Sequence, residues 1–308
     1  MKKKFTAMVA VLMVLLSFIT MVPMHAEEAR IEINCTTEVL DGERVKISVA
    51  QYGISETPII NIEGPAVYFD GVVYTTGIGE VIVTAKCGKY IDTETITVKS
   101  NYISLPTEMR DVFYINYFTT VLQNPDLPTG CEVTALTQTL NYYGYDADKT
   151  YMADNYLPKA GYGGNFWNTF IGNPKSSHGY GCYAPVIEKT ANDYFAANGS
   201  RHTALNFSGT DIDNIYRIVN EGYPVVILAS MNMVPIRYRV VWNDHNGYPV
   251  TWTGNEHCMT LLGYDKIEGT VLIADPLRGT VTYDMATFEK RYEECYKQAI
   301  VIKETPIK

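Results

Sequence analysis

A cysteine, a histidine and an aspartate occur along this chain in an order and in local contexts that suit nucleophilic catalysis. Cys131 directly follows a turn-forming Pro-Thr-Gly sequence at residues 128–130 and opens a helix-like run. His257 begins an apolar, strand-like run, and Asp275 ends the next such run before a proline turn. In this order the cysteine can act as a nucleophile, the histidine as its general base and acid, and the carboxylate can orient the imidazole.

The segment that contains the cysteine must hold it in place. Between residues 127 and 144 apolar side chains recur at helical spacing, which predicts a helix of about three turns with one buried face and with Gln138 on another. Gly144 is placed to end this helix. Cys131 would then lie at the first helical turn, where unpaired backbone N–H groups and the positive end of the helix dipole favour a thiolate over a thiol.

Each of the three residues also has a common structural explanation when it is taken alone. A lone cysteine is more often a small core residue, a histidine that begins a strand is more often structural, and Asp-Pro usually marks a turn. All three together, in order and each in a suitable context, favour the catalytic interpretation. The remaining histidines have no partners at metal-ligand spacing, so neither a metal site nor a cofactor is predicted.

The second part of the chain mixes helices and strands in a way that is typical of an α+β domain. Helices are predicted at residues 184–198, 211–220 and 285–295. Strands are predicted at residues 111–118, 224–230, 236–242, 258–264, 270–274, 280–283 and 298–302. A stretch at residues 156–183 is rich in glycine and aromatic residues and has little periodicity, and loops of that length usually line a functional cleft.

The first part of the chain has a different pattern. Short β-rich runs separated by turn residues, from residue 31 to about residue 99, predict about six or seven strands in an all-β sandwich. This segment resembles bacterial immunoglobulin-like domains, which implies a spacer or an adhesion module. Cys35 and Cys87 could form a disulfide within it. The predicted organisation is a signal peptide at 1–26, the sandwich at 27–99, a linker at 100–108 and a catalytic domain at 109–308.

The N-terminus and the charge balance indicate where the protein works. Lysines 2 to 4 and the apolar run that follows them read as a secretory signal, with the mature chain starting near Glu27. Removing three of the 25 basic residues and none of the 34 acidic ones leaves 22 − 34 = −12 charges. Such an acidic chain is a poor partner for nucleic acid or anionic membranes. We therefore predict an exported protein, free or at the cell surface, with no membrane attachment after signal removal.

Three stretches of the second domain resemble one known family. The sequences LPTGCEVTALTQTLNYYG, EHCMTLLGYD and ADPLRGTVTYD are similar to those of the papain-like peptidases related to the bacteriocin-processing, double-glycine leader peptidases. They are most similar to the secreted branch of that group, found mainly in Gram-positive bacteria. The resemblance covers most of residues 109–303. It implies a papain-like cysteine peptidase fold, with Cys131 as nucleophile, His257 as general base and acid, and Asp275 as the orienting carboxylate.

The same resemblance implies a glutamine whose side-chain amide helps to hold the oxyanion, beside the backbone N–H of the cysteine. Gln123 is the glutamine in the right loop, but it lies further from Cys131 than in the transporter-linked members, so Asn124 is an alternative donor. A second departure is Glu132, where the transporter-linked members carry glycine.

The expected function is hydrolysis of a peptide or amide bond through a thioester on the cysteine. The expected substrate is a peptide or protein, and one candidate source of that substrate is the cell wall. Two alternatives stay open. The same site could serve an acyl transferase or a cell-wall amidase, or the chain could be a non-catalytic surface protein that binds or adheres.

Overall fold

The computed structural model describes residues 29–40, 43–69, 71–75, 78–99, 108–243 and 249–304. The predicted signal peptide at 1–26 and most of the predicted linker at 100–108 lie outside these residues. Among the described residues, no helix combines the length and the apolar character that crossing a membrane requires.

Residues 30–99 form short strands that pair into three small sheets. The strands are β1 (Arg30–Asn34), β2 (Glu38–Leu40), β3 (Arg44–Lys46), β4 (Ser48–Tyr52), β5 (Ile59–Glu63), β6 (Ala66–Phe69), β7 (Val72–Thr75), β8 (Gly79–Cys87) and β9 (Tyr90–Lys99). The sheets have the orders β1-β4, β2-β9-β8-β5 and β3-β7-β6. Alternate residues of β8 point into the core, and Val81, Val83 and Ala85 are all fully buried, as their spacing predicts.

The disulfide that was considered between Cys35 and Cys87 is not formed. Both thiols are free. The Cys87 Sγ–H instead donates to the carbonyl of Glu56 at 3.0 Å, so this thiol already has a local partner. The immunoglobulin-like character of the segment stays a prediction.

Residues from 109 onward form the predicted α+β arrangement. The helices are α1 (Cys131–Tyr142), α2 (Lys149–Asn155), α3 (Ala184–Ala197), α4 (Ile212–Asn220) and α5 (Met285–Glu294). The strands are β10 (Val112–Tyr114), β11 (Lys159–Ala160), β12 (Phe170–Ile171), β13 (His202–Asn206), β14 (Val225–Ser230), β15 (Tyr238–Asn243), β16 (Pro249–Thr253), β17 (Glu256–Asp265), β18 (Thr270–Asp275), β19 (Gly279–Asp284) and β20 (Ala299–Glu304). A seven-stranded sheet has the order β13-β20-β14-β17-β18-β19, with β10 paired to β17. Its pairings are antiparallel.

The predicted elements are found with small shifts and a few omissions. The strand expected at residues 111–118 is reduced to β10, and Tyr117 adopts a left-handed φ of 60°, which does not continue a strand. Helix α2 and strands β11, β12, β13 and β16 were not predicted, because short runs with mixed polarity carry no clear period.

Helices cover both faces of the central sheet, and this layering fixes the position of α1. Val226 and Leu228 of β14 face the core formed by α1 and α3, whereas Val225 and Ile227 face the core formed by α4 and α5. One strand thus packs against helices on both sides, as in any strand in the middle of a three-layer arrangement.

Gln138 does not face away from the buried side of α1, as its place on the helix had predicted. It is fully buried. Its Nε2 donates to Thr260 Oγ1 at 2.8 Å and to the carbonyl of Ala274 at 3.0 Å, and its Oε1 accepts from the N–H of Val121 at 3.1 Å. The first ten residues of α1 are all buried, so the helix is enclosed rather than amphipathic, and its polar side chains tie it to β17 and β18.

The all-β segment contacts the second part through Tyr74 of β7. Its hydroxyl donates to Asn168 Oδ1 at 2.8 Å and accepts from Asn165 Nδ2 at 2.9 Å. Its ring stacks on Trp167 with the centroids 5.3 Å apart. Tyr74 is 1% exposed, so this residue of the all-β segment packs tightly against the glycine- and aromatic-rich stretch of the α+β region.

Candidate active site

Cys131 is the first residue of α1, as predicted. The preceding Gly130 packs so closely that a Cβ there would lie 2.8 Å from Leu127 and 3.1 Å from Pro174. No side chain caps the helix, so its first N–H groups receive no cap hydrogen bond. Cys131 is 8% exposed and reaches the wall of a cleft of about 500 Å³.

His257 and Asp275 meet because β17 and β18 are antiparallel neighbours. His257 lies near the start of β17 and Asp275 ends β18, so the two strand ends lie side by side. His257 Nε2 and Asp275 Oδ1 are 2.6 Å apart, and both side chains are buried. Because Nε2 is held by the carboxylate, Nδ1 is the ring nitrogen left for the cleft, which His257 also lines.

Asp275 has two further donors that fix its charge and orientation. The N–H of Leu277 donates to Oδ1 at 2.7 Å, and the hydroxyl of Tyr283 donates to Oδ2 at 2.9 Å. Burial alone would raise the pKa of Asp275, but the hydrogen bonds and the charge of His257 outweigh it, so the pKa of this carboxyl is lowered. The carboxylate is therefore ionised and pre-oriented toward the imidazole.

The Cys131 thiol lines the same cleft as His257 but bonds to another group. Its Sγ–H donates to Glu132 Oε2 at 3.2 Å, and among the described residues no hydrogen bond joins Cys131 to His257. Burial, followed by the carboxyls of Glu132 and Glu256, raises the pKa of the Cys131 thiol well above its ordinary value. The prediction that Cys131 is a thiolate is therefore wrong for this arrangement. Burial and two acidic neighbours raise the thiol pKa by more than the helix N-terminus lowers it.

Gln123 lines the cleft, whereas Asn124 is exposed and is not part of its wall. The Gln123 side chain is nearly fully buried, and its Nε2 donates to the carbonyl of Pro128 at 2.9 Å. Its backbone N–H donates to the carbonyl of Pro276 at 2.8 Å, next to Asp275 in the chain. The loop that carries Gln123 is thus fastened to the turn that follows β18.

For the other residues of the cleft wall, the sequence predicted only the stretch that contains them, or did not predict them. The glycine- and aromatic-rich stretch does line the cleft, through Tyr162 and residues 177–180, as its length predicted. Glu256 was missed, although it directly precedes His257 in the sequence. Glu132 was noted only as a departure from the family pattern. Their adjacency to the two reactive residues was the available signal.

Cys131, Glu132 and Glu256 are also the residues that could hold a metal ion. Their ligand atoms lie within 4.8 Å of one another, and this is the one such group of three found among the described residues. Burial raises the pKa of all three groups, so protons compete with any cation there.

Comparison with known proteins places this geometry in a family. The model of the Peptidase_C39 like family matches residues 109–300, which include all the residues of the cleft described above. The chain belongs to the Peptidase_C39 like family. It is thereby a member of a cysteine peptidase family, and its α+β part has the corresponding fold. The all-β segment lies outside the matched range.

Two relatives of this C39-like chain show how far the similarity extends. The uncharacterized protein YvpB of Bacillus subtilis (strain 168) is 30% identical over 186 residues, which are 58% of this chain and 71% of that protein. The crystal structure of a protein from Bacillus anthracis assigned as a C39-like peptidase is 30% identical, with a TM-score of 0.57. That match covers 64% of this chain and 99% of the other.

Proposed function

We propose that this protein is an exported cysteine peptidase that hydrolyses peptide or amide bonds through a thioester on Cys131. The observation that carries the proposal is the buried 2.6 Å hydrogen bond between His257 and Asp275 in a cleft that Cys131 also lines. A charge-assisted bond of this kind holds an imidazole in one tautomer and stabilises its protonated form. Membership of a cysteine peptidase family supports the same reaction class.

The proposed reaction begins with rotation of the Cys131 side chain from Glu132 toward His257. Nδ1 of His257 takes the thiol proton while Sγ attacks the carbonyl carbon, and the new oxyanion accepts hydrogen bonds from Gln123 Nε2 and the N–H of Cys131. Collapse of this intermediate breaks the C–N bond, and His257 returns its proton to the leaving amine. Water, deprotonated by His257, then attacks the thioester and releases the acid and the thiol.

The walls of the cleft favour a peptide as substrate. Tyr162, which is 67% exposed, and Trp252 offer aromatic surface on the cleft. Leu277 and Met231 add apolar surface that is also partly exposed. A groove with apolar and aromatic walls and a few polar groups suits an extended chain with side chains of mixed character.

The decisive experiment is product analysis with peptide libraries. Mature protein starting near Glu27 is incubated with the library beside Cys131→Ala, and the products are identified by mass spectrometry. We expect cleavage that depends on Cys131 and a transient acyl adduct on that residue. Products that carry an added amine in place of water would favour the acyl transferase, and release of a cell-wall amide would favour the amidase. Binding without turnover in both proteins would favour the non-catalytic alternative.

Export has a separate test. The protein recovered from the medium of producing cells is expected to begin within a few residues of Glu27. A chain that stays inside the cells and retains its first 26 residues would contradict this part of the proposal.

A further inference from the structure

The cleft has one arginine and no lysine among the described residues that line it. That arginine is Arg239, whose guanidinium stays protonated in proteins. It lies on β15 directly opposite Trp252 of β16, and the side chains of such a cross-strand pair point to the same face. Both side chains line the cleft. The β15–β16 hairpin thus brings a permanent cation to the wall of the cleft that Cys131 and His257 also border.

The Arg239 side chain lies against an aromatic platform. Its Cζ is 5.4 Å from the centroid of the Tyr180 ring, within the range of a cation–π interaction. The Tyr180 ring packs edge-on against Trp242 and Trp252, with the centroids 5.6 and 6.1 Å apart. The N–H of Tyr180 also donates to the carbonyl of Ile171 at 2.9 Å. This packing holds the platform in place and leaves the N–H groups of the guanidinium available.

Arg239 has no anionic partner in the part of the chain that the structure describes. None of the ion pairs there includes it. Glu256, the carboxyl of the cleft wall, is 7% exposed and does not pair with it. Arg278, which follows the cleft residue Leu277, differs because it donates to Asn232 Oδ1 at 3.3 Å. The chain as a whole is acidic, with 34 acidic and 25 basic residues. An unpaired guanidinium in its cleft therefore suits an anionic group of the ligand.

The cleft gives an extended peptide a path past this cation. It has a volume of about 500 Å³, and Tyr162, His178 and Gly179 also line an adjoining groove of about 400 Å³. Tyr180 follows these residues in the chain, and its ring is the one that contacts Arg239. A peptide that runs through both spaces passes the guanidinium at a distance from the reacting carbonyl.

We propose that Arg239 binds a carboxylate of the substrate and makes the enzyme selective for acidic peptides. The carboxylate belongs to an Asp or Glu side chain or to the C-terminus of the peptide, since the planar fork of a guanidinium matches either one. This inference rests on the proposed peptidase function and names its substrate class. Because Arg239 occupies one place on the wall, one position of the peptide carries the preference. Contact away from the reacting atoms should act on KM rather than on kcat.

The test compares peptides that differ only in charge. One set consists of acetylated hexapeptide amides with one position at a time fixed as Glu, Gln or Lys, and a second set has free C-terminal carboxylates in place of the amides. We expect the wild type to cleave the carboxylate member at least about tenfold faster than the Gln or amide member at one position, at low ionic strength. Arg239→Gln should remove this difference. Equal rates in the wild type at every position and at the C-terminus would overturn the proposal.

Charge reversal and a matched control sharpen the result. Arg239→Glu should reverse the preference, so that Lys at the same position, or the terminal amide, is favoured over the carboxylate. Arg237→Gln is the control, because Arg237 is also exposed and lies two residues earlier but does not line the cleft. This control should keep the wild-type preference. A wild-type preference in Arg239→Glu would overturn the proposal.

A binding measurement separates this inference from the proposed reaction. The same peptides are passed over immobilised Cys131→Ala, and the retained ones are identified by mass spectrometry. Carboxylate-dependent retention that is lost in the double variant Cys131→Ala, Arg239→Gln would support the inference even if the wild type cleaved nothing, and would then count against the proposed function alone. Cleavage with no preference for a carboxylate would overturn the inference and leave the peptidase function standing.

Discussion

Replacing Asp275 by asparagine should abolish most of the activity while leaving the fold in place. The amide can still accept the N–H of Leu277 at the position of Oδ1, which now accepts at 2.7 Å. The substitution removes the negative charge that lies 2.6 Å from His257 Nε2 in a site where both side chains are buried. Imidazolium formation, which the proposed reaction needs twice, then lacks its compensating charge.

The size of the effect follows from the burial of this pair. Removing one partner of a buried ion pair costs about 3–5 kcal/mol, because it leaves the other charge uncompensated. At about 1.4 kcal/mol for each factor of ten, kcat/KM should fall roughly 10²–10⁴-fold. The loss should lie in kcat, since Asp275 does not border the cleft.

Asp265→Asn is the matched control for this measurement. Asp265 also ends a strand, its Oδ1 accepts the N–H groups of Ile267 and Glu268 at 2.9 and 2.8 Å, and Tyr114 donates to its Oδ2. Initial rates on a peptide identified from the library should change less than about twofold in this variant. The reasoning is refuted if Asp275→Asn has an unchanged circular dichroism spectrum and keeps more than about a tenth of the wild-type rate.

Three further predictions concern the residues around the triad. Gln123→Ala should lower kcat roughly 10²–10³-fold with little change in KM. A rise in KM of that size with kcat unchanged would contradict the place of Gln123 at the oxyanion. Tyr283→Phe removes one hydrogen bond to Asp275 and should lower kcat about fivefold, measured on the same peptide. Lys149 donates to the carbonyls of Leu122 and Gln123 at 2.6 and 3.0 Å. Lys149→Met should therefore lower the free energy of unfolding by about 1–3 kcal/mol in urea titrations, and an unchanged midpoint would contradict it.

The stability of the protein should also depend on Asp275 in acid. Because the folded-state pKa of this carboxyl is lowered, its contribution to stability is present above the unfolded pKa near 4 and is lost as the pH falls below it. The difference in unfolding free energy between the wild type and Asp275→Asn should thus shrink below about pH 4. A difference that stays constant down to about pH 2 would contradict the lowered pKa.

The parts of the site that sequence could predict are those fixed by local pattern. The glycines that bracket α1 and its apolar spacing placed Cys131 at a helix start, and the apolar runs placed His257 and Asp275 at strand ends. Neighbouring antiparallel strands then bring such ends together without further information. The family resemblance added Gln123, which the structure does put on the cleft wall.

The parts that sequence could not predict depend on what surrounds each residue in three dimensions. A helical period assumes solvent on one side of α1, but that side is covered, so Gln138 is buried and bonds to the sheet. The pKa of Cys131 is raised by burial, then by the neighbouring Glu132, and then by Glu256, which comes from a distant strand. No local sequence pattern reveals that the carboxyls of Glu132 and Glu256, which belong to separate segments, are buried beside each other.

The measurement that tests the central claim most directly is the labelling rate of Cys131 by a peptidyl chloromethyl ketone at about pH 6, in the mature protein and in His257→Ala. Mass spectrometry locates and quantifies the label. The account predicts labelling of Cys131 that is at least about tenfold slower in the variant, because His257 is the base that takes the thiol proton in the proposed reaction. Equal labelling in the two proteins would mean that His257 does not activate Cys131, and would contradict the account.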